Sequence, residues 1–230
     1  MNCKLCQLNR KLQRSHIIPE FLHEPLYDNK HRAHIIEVGN INPNYFVQKG
    51  IREHLLCFDC EQHLNDSYEK PFKQFWIDNR ALPDFNKGDL FIMSGIDYPV
   101  FKLFHLSVLF RAGIAADAHF SHVKLGPHTE LIRRMMLNGN CGKDHQYHIF
   151  CFALTDDNGN VVRDLIVQPL QIKLYGHKVY MFIFGGCIWF YAVSSHASKE
   201  IAEIALKRNG TLPIAAMCWQ NFPPLQAFMK

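Results

Sequence analysis

The stretch SHIIPEF, running from Ser15 to Phe21, decides how the first third of this chain is read. A histidine followed by two isoleucines and a proline suits neither a helix nor a plain surface loop. β-Branched residues favour extended backbone, and the residue before a proline is pushed there as well. Two cysteine pairs of equal internal spacing bracket the motif, Cys3-x-x-Cys6 before it and Cys57-x-x-Cys60 after it. In a reducing compartment two such pairs point to one tetrahedral zinc ion, because each tight turn presents two thiolates and four soft thiolates match zinc. The gap between the pairs is long, so the ion staples two distant pieces of chain and closes a loop that contains His16. The other cysteines, Cys141, Cys151, Cys187 and Cys218, lie among apolar residues and are expected in the core.

The bulk composition sets the frame. The 230 residues are 48% hydrophobic, 13% aromatic and 20% charged, which excludes a disordered chain and allows one large domain or two small ones. A net charge of +4 is compatible with a polyanionic partner without requiring one, and 14 histidines add positive charge in mild acid. No apolar run follows the start, so no secretory leader is expected. The longest apolar stretch, MFIFGGCIWFYAV from Met181 to Val193, is too short to span a bilayer and is broken by Gly185 and Gly186. The expected location is the cytoplasm, where thiols stay reduced unless they hold a metal.

Along the chain the character changes at ALPDFNKG, where Pro83, Asn86 and Gly88 cluster from Leu82 to Gly88. This reads as a linker between residues 1–80 and a second region, 89–230. Before it, Leu64, Tyr68, Phe72 and Phe75 fall at helical spacing, with Pro71 expected to kink or divide the helix. The polar segment from Asp28 to Gln48 contains GNINPN, a loop or short hairpin. After the linker, DYPVFKLFHLSVLFRAGIAA is a helix apolar almost all round and therefore buried. PHTELIRRMML is a second helix, led by Pro127 with Thr129 as a cap. YHIFCFAL, the turn DDNGN and VVRDLIVQ read as a hairpin; KVYMFIF and CIWFYAV read as two further strands; ASKEIAEIALKRNG reads as an amphipathic helix ended by Gly210. The fold class is α+β, helices followed by a mainly antiparallel sheet.

The order C-x-x-C, then H-I-I-P, then L-L-C-x-x-C resembles the HNH nuclease family with its ββα-metal fold, over about Cys3 to Tyr68. A wider pattern, adding Tyr68-Glu69, YPVFKLFHLSVLFRA and ELIRRMML, is similar to bacterial and phage proteins labelled only as HNH-like. The resemblance implies a zinc-stapled module at 1–80: a first strand ending in His16, a second strand, and a helix starting at the second cysteine pair. Cys3, Cys6, Cys57 and Cys60 would hold the structural zinc. His16 would be the general base that takes a proton from the water attacking a phosphodiester, a task suited to a neutral imidazole. A separate Mg²⁺ or Mn²⁺ would be held by Glu61 with Asn65 or His63, and Glu61, Asn65 and Glu69 share one helical face at i, i+4 and i+8. His54 is a further nitrogen nearby. The implied activity is metal-dependent hydrolysis of nucleic acid, DNA favoured and RNA left open, with Arg10, Lys11 and Arg14 steering the phosphate backbone.

Three residues depart from the family pattern. Ser15 stands where an aspartate is usual, Glu61 where a metal-binding histidine is usual, and Arg52 where an asparagine is usual. They leave an alternative open: a zinc-binding module without a catalytic metal that binds nucleic acid or a protein. Glu69 reads as a solvated helix face. Arg133 and Arg134 could face phosphate or an acidic neighbour, and the aromatics Phe182, Phe184, Trp189, Phe190 and Tyr191 read as a β core. The second region is expected to recognise substrate or a protein partner, or to form a homodimer; no membrane partner is expected.

Overall fold

Strand β1 (Leu12–His16) carries the opening motif to its turning point, and the two isoleucines explain where it goes. Ile17 and Ile18 are almost fully buried, so the strand end is anchored in the core. Pro19, at φ −51° and ψ 143°, then starts the short helix α1 (Glu20–His23). After a single 3₁₀ turn, Glu24–Leu26, come β2 (Arg32–Ile36) and β3 (Asn44–Gln48), which pair antiparallel. Strand β4 (Arg52–Cys57) returns antiparallel to β1, with Leu12 opposite Cys57 and His16 opposite Arg52. Helix α2 (Phe58–Leu64) begins directly at the end of β4. The computed structural model describes residues 1–30, 32–36, 44–48, 50–79, 81–86, 88–194 and 196–222. Most of the Asn-rich GNINPN patch therefore lies outside the described residues, and Asn44 opens β3.

The helix does not stop at α2. It runs on through a π turn at Asn65–Glu69, then α3 (Lys70–Phe72), then a second π turn at Lys73–Asp78. Pro71 has no N–H to give and its ring crowds the preceding turn, so the widened turns on either side let the helix pass it, and the chain stays in the right-handed helical region at Glu69 and Lys70. The expected division at Pro71 thus takes the form of alternating α and π turns.

Beyond Asn79, β5 (Leu90–Met93) leads into α4 (Tyr98–Ile114), α5 (His128–Leu137), β6 (Ile149–Thr155), β7 (Val167–Leu174), β8 (His177–Phe184), β9 (Cys187–Ala192), α6 (Lys199–Ile204) and β10 (Leu212–Cys218). One six-stranded sheet runs in the order β5-β10-β6-β9-β8-β7, antiparallel throughout except for β10 beside β6. The expected mixed α+β class with a mainly antiparallel sheet is observed. Helix α4 is capped by the Asp97 side chain accepting from Val100 N and, as its composition demands, is buried on nearly every side. Strands β8 and β9 turn through Gly185 and Gly186, both at positive φ (59° and 86°), as a two-residue hairpin turn requires.

Three local expectations change. The VVRDLIVQ segment forms no extended ladder with YHIFCFAL: one bridge joins Val161 to Thr155, just past that segment, and Val162 N donates to Leu154 O. Strand β6 is apolar on both faces and gives its two edges to β9 and β10, so the sheet interior excludes a simple hairpin there, and β7 pairs with β8 instead. Helix α6 ends at Ile204 with Ala205 already extended, and Gly210 serves the next turn, where its carbonyl accepts from Ile96 N. Pro127, not Thr129, occupies the N-cap of α5, and no side chain caps it. Cys141, Cys151 and Cys187 are buried as expected; Cys218 is half-buried and its thiol donates to Asp157.

A single hydrophobic core includes residues from both sides of the 82–88 stretch. Phe72 stacks on Phe104 with ring centroids 3.6 Å apart, Trp76 lies 4.9 Å from Trp189, and Trp76 Nε1 donates to the Gly185 carbonyl at 2.9 Å. Leu82 and Phe85 are themselves buried in this core, and Phe85 N donates to Gly159 O. A second cluster, including Ile201 and Phe222, holds Phe150, Ile188 and Phe190 of the sheet. No helix among the described residues is long and apolar enough to cross a membrane. Because Phe104 is fully buried against Phe21 and Phe72, Phe104→Ala should destabilise the chain by about 3–5 kcal/mol, read as a lowered urea midpoint.

Candidate metal centre and adjoining charge cluster

The Sγ atoms of Cys3, Cys6, Cys57 and Cys60 all lie within 4.8 Å of one another. The local sequence explains how. Gln7 takes a left-handed conformation (φ 65°), so the chain folds back on itself with Gln7 N donating to Cys3 O and Cys3 N to Leu8 O. Cys57 is the last residue of β4 and Cys60 lies in the first turn of α2. Lys4 N donates to Leu55 O, which ties the first turn to the second strand. Arg133, held by Glu130, donates from Nη1 to Leu5 O at 2.6 Å and so pins the same turn to α5.

The donor set fits zinc. Cys6 and Cys57 sulfurs are 3.8 Å apart, and a Zn–S bond of about 2.3 Å gives a tetrahedral edge of about 3.8 Å. Cys57 N lies 3.3 Å from Cys3 Sγ, placed to donate to it. Burial pushes the Cys3 thiol up, but backbone N–H groups of Cys57, Cys6 and Leu5 outweigh it and bring it from 9.0 down to about 7. Cys60 is pushed up by burial and then by the neighbouring sulfurs of Cys57, Cys3 and Cys6; Cys6 is pushed up by burial first. Four thiolates this close repel one another, and one divalent cation removes the conflict. The four cysteines could therefore hold a zinc ion.

Behind this centre lies a buried charge cluster. Adjacent side chains on a strand point to opposite faces, and the opening motif uses both. Ser15, 1% exposed, faces α2: its hydroxyl donates to Glu61 and accepts from Leu56 N at 3.2 Å. His16 is half-buried and its Nε2 pairs with the carboxylate of Glu20, the first residue of α1. The other Glu20 oxygen accepts from the Tyr27 hydroxyl at 2.9 Å. His23 is buried on the same short helix; burial, and then the charge of His16, lower it from 6.5 to about 4.

Arg111, 1% exposed, reaches in from α4. Its Nη1 donates to the carbonyl of His16 at 2.9 Å and pairs with Glu69 Oε1 at 2.8 Å; Nε donates to Ser107 O and Nη2 to Ser107 Oγ, both at 3.3 Å. Glu61 is pushed up by burial, held back by the Arg111 charge and the Ser15 hydroxyl, and pushed up again by Glu69. Glu69 is thus a partner in a buried ion pair and not a solvated helix face.

The remaining expected site residues fall as follows. Asn65 is half-buried at the junction of α2 with the first π turn, where its N–H bonds to Gln62 O and Glu61 O. His63 is turned to α5: Nε2 meets Met136 O at 3.0 Å and Nδ1 meets Ser67 Oγ at 3.4 Å. His54 is exposed, with Nδ1 3.4 Å from Leu12 O. Arg10 pairs with Asp59 on the surface, while Lys11 and Arg14 are exposed. Arg133 and Arg134 both pair with Glu130. Sequence reasoning missed Glu20 and Arg111. One signal was present: an arginine inside a helix apolar all round demands a buried partner.

Comparison with protein-family models, with curated proteins and with solved structures finds no match. Two outcomes test the geometry. A strong zinc chelator under reducing conditions should lower the melting temperature and open the 1–64 segment to protease, and Cys60→Ala should reproduce the effect without chelator. Separately, because folded His23 binds its proton only near pH 4 whereas the unfolded residue does so near 6.5, the unfolded chain holds more protons in that window. Stability should therefore fall as pH drops from about 6.5 to 4, and His23→Gln should flatten that slope in calorimetric melts.

Proposed function

We propose that residues 1–80 form a zinc-stapled module of the HNH type, with β1 and β4 as its two strands and α2 as its helix, and that this module binds nucleic acid. The observation that carries the reading is the convergence of the four cysteine sulfurs at the exact junction of strand end and helix start, with SHIIP on the partner strand. Zinc there is structural, fixing β4 and α2 against the first turn. Lys4, Lys11 and Arg14 are exposed near this staple, and the chain carries a net charge of +4, which suits contacts to phosphates.

The resemblance also implies a divalent ion beside His16, which when bound supplies charge neutralisation on the phosphate. The residues present do not fit it. The Glu61 carboxylate accepts from Ser15, the His63 nitrogens face Met136 O and Ser67 Oγ, and the Arg111 guanidinium pairs with Glu69 while its charge acts on Glu61. The reading best supported is accordingly binding without divalent-ion-dependent cleavage. One observation favours the second reading, an HNH-type endonuclease hydrolysing phosphodiesters: Glu20 backs His16 as an orienting carboxylate backs a general base.

Fluorescence anisotropy with labelled duplex DNA and RNA, titrated over salt, tests the proposal. The expected result is salt-sensitive binding, weakened in the Lys11→Glu/Arg14→Glu double variant, whose log–log salt slope should fall by about 0.9 for each lost duplex contact. Plasmid incubated with the protein and Mg²⁺ or Mn²⁺ should stay intact. Nicking that disappears in His16→Ala would establish the second reading, and absence of binding to either nucleic acid would reject the first.

A further inference from the structure

We infer that the tip of the β7–β8 hairpin, with the first residue of α5 beside it, is a binding site for single-stranded nucleic acid: the ring of Tyr175 stacks a base, and His128 and Lys178 meet the adjoining phosphate. The site lies in the second region, outside residues 1–80. It goes beyond the proposal for that module and does not rest on it.

Tyr175 is the first observation. With Gly176 it makes the two-residue loop between Leu174 and His177, which stand opposite each other in the ladder, and both loop residues have positive φ (47° and 81°). A turn of this kind favours Asn-Gly, because most side chains are disfavoured in the left-handed region. The tyrosine therefore sits there against local preference, and its side chain returns nothing to the fold. It is 60% exposed and has no ring contact or side-chain hydrogen bond among the described residues. The face of the ring is open to a flat partner.

The second observation is the chemistry beside it. A depression of about 460 Å³ is lined by Tyr175, His177 and Lys178 together with His128 and His196. Its nitrogen-bearing side chains are one lysine and three histidines, and no carboxylate lines it. Lys178 gives one N–H to the Lys124 carbonyl at 3.3 Å and keeps two. His128 is set as a donor by its neighbour. The Tyr147 hydroxyl is buried, and burial pushes it up to about 12, so it keeps its proton. Its one partner among the described residues is His128 Nδ1, at 2.9 Å. A buried hydroxyl with a single partner donates to it, which leaves the imidazole proton on Nε2. Burial, and then the Lys178 charge, lower His128 and favour this neutral form.

An ammonium and a fixed N–H donor with no carboxylate between them match a phosphate oxygen. An unpartnered aromatic ring three positions from that ammonium matches a base. Single strands are held in this way, by a basic groove along the backbone and rings beneath the bases. In a duplex the bases are stacked on one another and closed to Tyr175. Tyr175, Lys178 and His196 are all exposed, so the depression is an open trough of the kind a strand passes through, not an enclosed pocket for a free nucleotide.

Fluorescence anisotropy with a labelled oligothymidylate and the full-length, zinc-loaded chain tests the inference. Wild-type protein should bind the strand. Tyr175→Asn removes the ring but supplies the residue the turn prefers, so this variant should melt no lower than wild type and yet bind at least roughly fivefold more weakly. Lys178→Ala should lower the log–log salt slope by about 0.7. Lys11→Glu/Arg14→Glu should leave oligothymidylate binding in place, which separates this site from residues 1–80. Three results overturn the inference: no binding of the strand by wild type, equal binding by Tyr175→Asn, or displacement of the strand by an equal concentration of free thymidine monophosphate. Loss of binding in Lys11→Glu/Arg14→Glu with none in Tyr175→Asn overturns it too, and leaves the proposal for residues 1–80 standing.

Discussion

Four cysteine sulfurs within 4.8 Å of one another are the constraint on which the N-terminal architecture depends. Thiolates at that separation repel, and neutral thiols there forgo the charge-assisted bonds that the surrounding backbone N–H groups are placed to make. A shared soft cation would resolve both problems and would join residues more than fifty positions apart into one unit. The strand order follows from this. Once Cys57 and Cys60 are held against Cys3 and Cys6, β4 must run beside β1, and α2 must leave from the point where β4 ends. The loop so closed contains α1, which is how Glu20 comes to stand behind His16.

The second constraint is the burial of charge. Ser15 and Arg111 are buried and Glu61 and Glu69 half-buried, and they come from β1, α4 and the helix that runs from α2 through its first π turn. An isolated buried carboxylate or guanidinium is strongly destabilising, whereas a mutually bonded set is tolerated and fixes relative positions. Arg111 is the piece that connects the regions. It links α4 to the end of β1 through His16 O and to the first π turn through Glu69, beside the stacked rings of Phe72 and Phe104. Polar and apolar contacts thus agree on a single placement of α4 against the N-terminal strands.

How much of this could be read from the sequence depended on the range of the interaction. The paired cysteines were legible because the spacing within each pair is a local geometric demand of a tetrahedral ion. Helix α4 and strands β8 and β9 were legible because their apolar runs leave few alternatives. The partner of β6 was not, because two-sided burial makes a strand central without saying which strands flank it. The short length of α6 escaped because its amphipathic pattern continues past the point where Ala205 turns extended. In the site, Glu61 was visible from its place after the last cysteine. The role of Glu69 was hidden because its partner Arg111 is 42 positions away and pairs through space, on a helix whose composition signalled burial but not what lay opposite.

The account stands or falls on the thiolate staple, and X-ray absorption at the zinc edge on the purified, reduced chain tests it most directly. It predicts one zinc per chain in a shell of four sulfurs at about 2.3 Å. A chain that folds with no bound zinc, or zinc whose shell is built from nitrogen and oxygen, would contradict it.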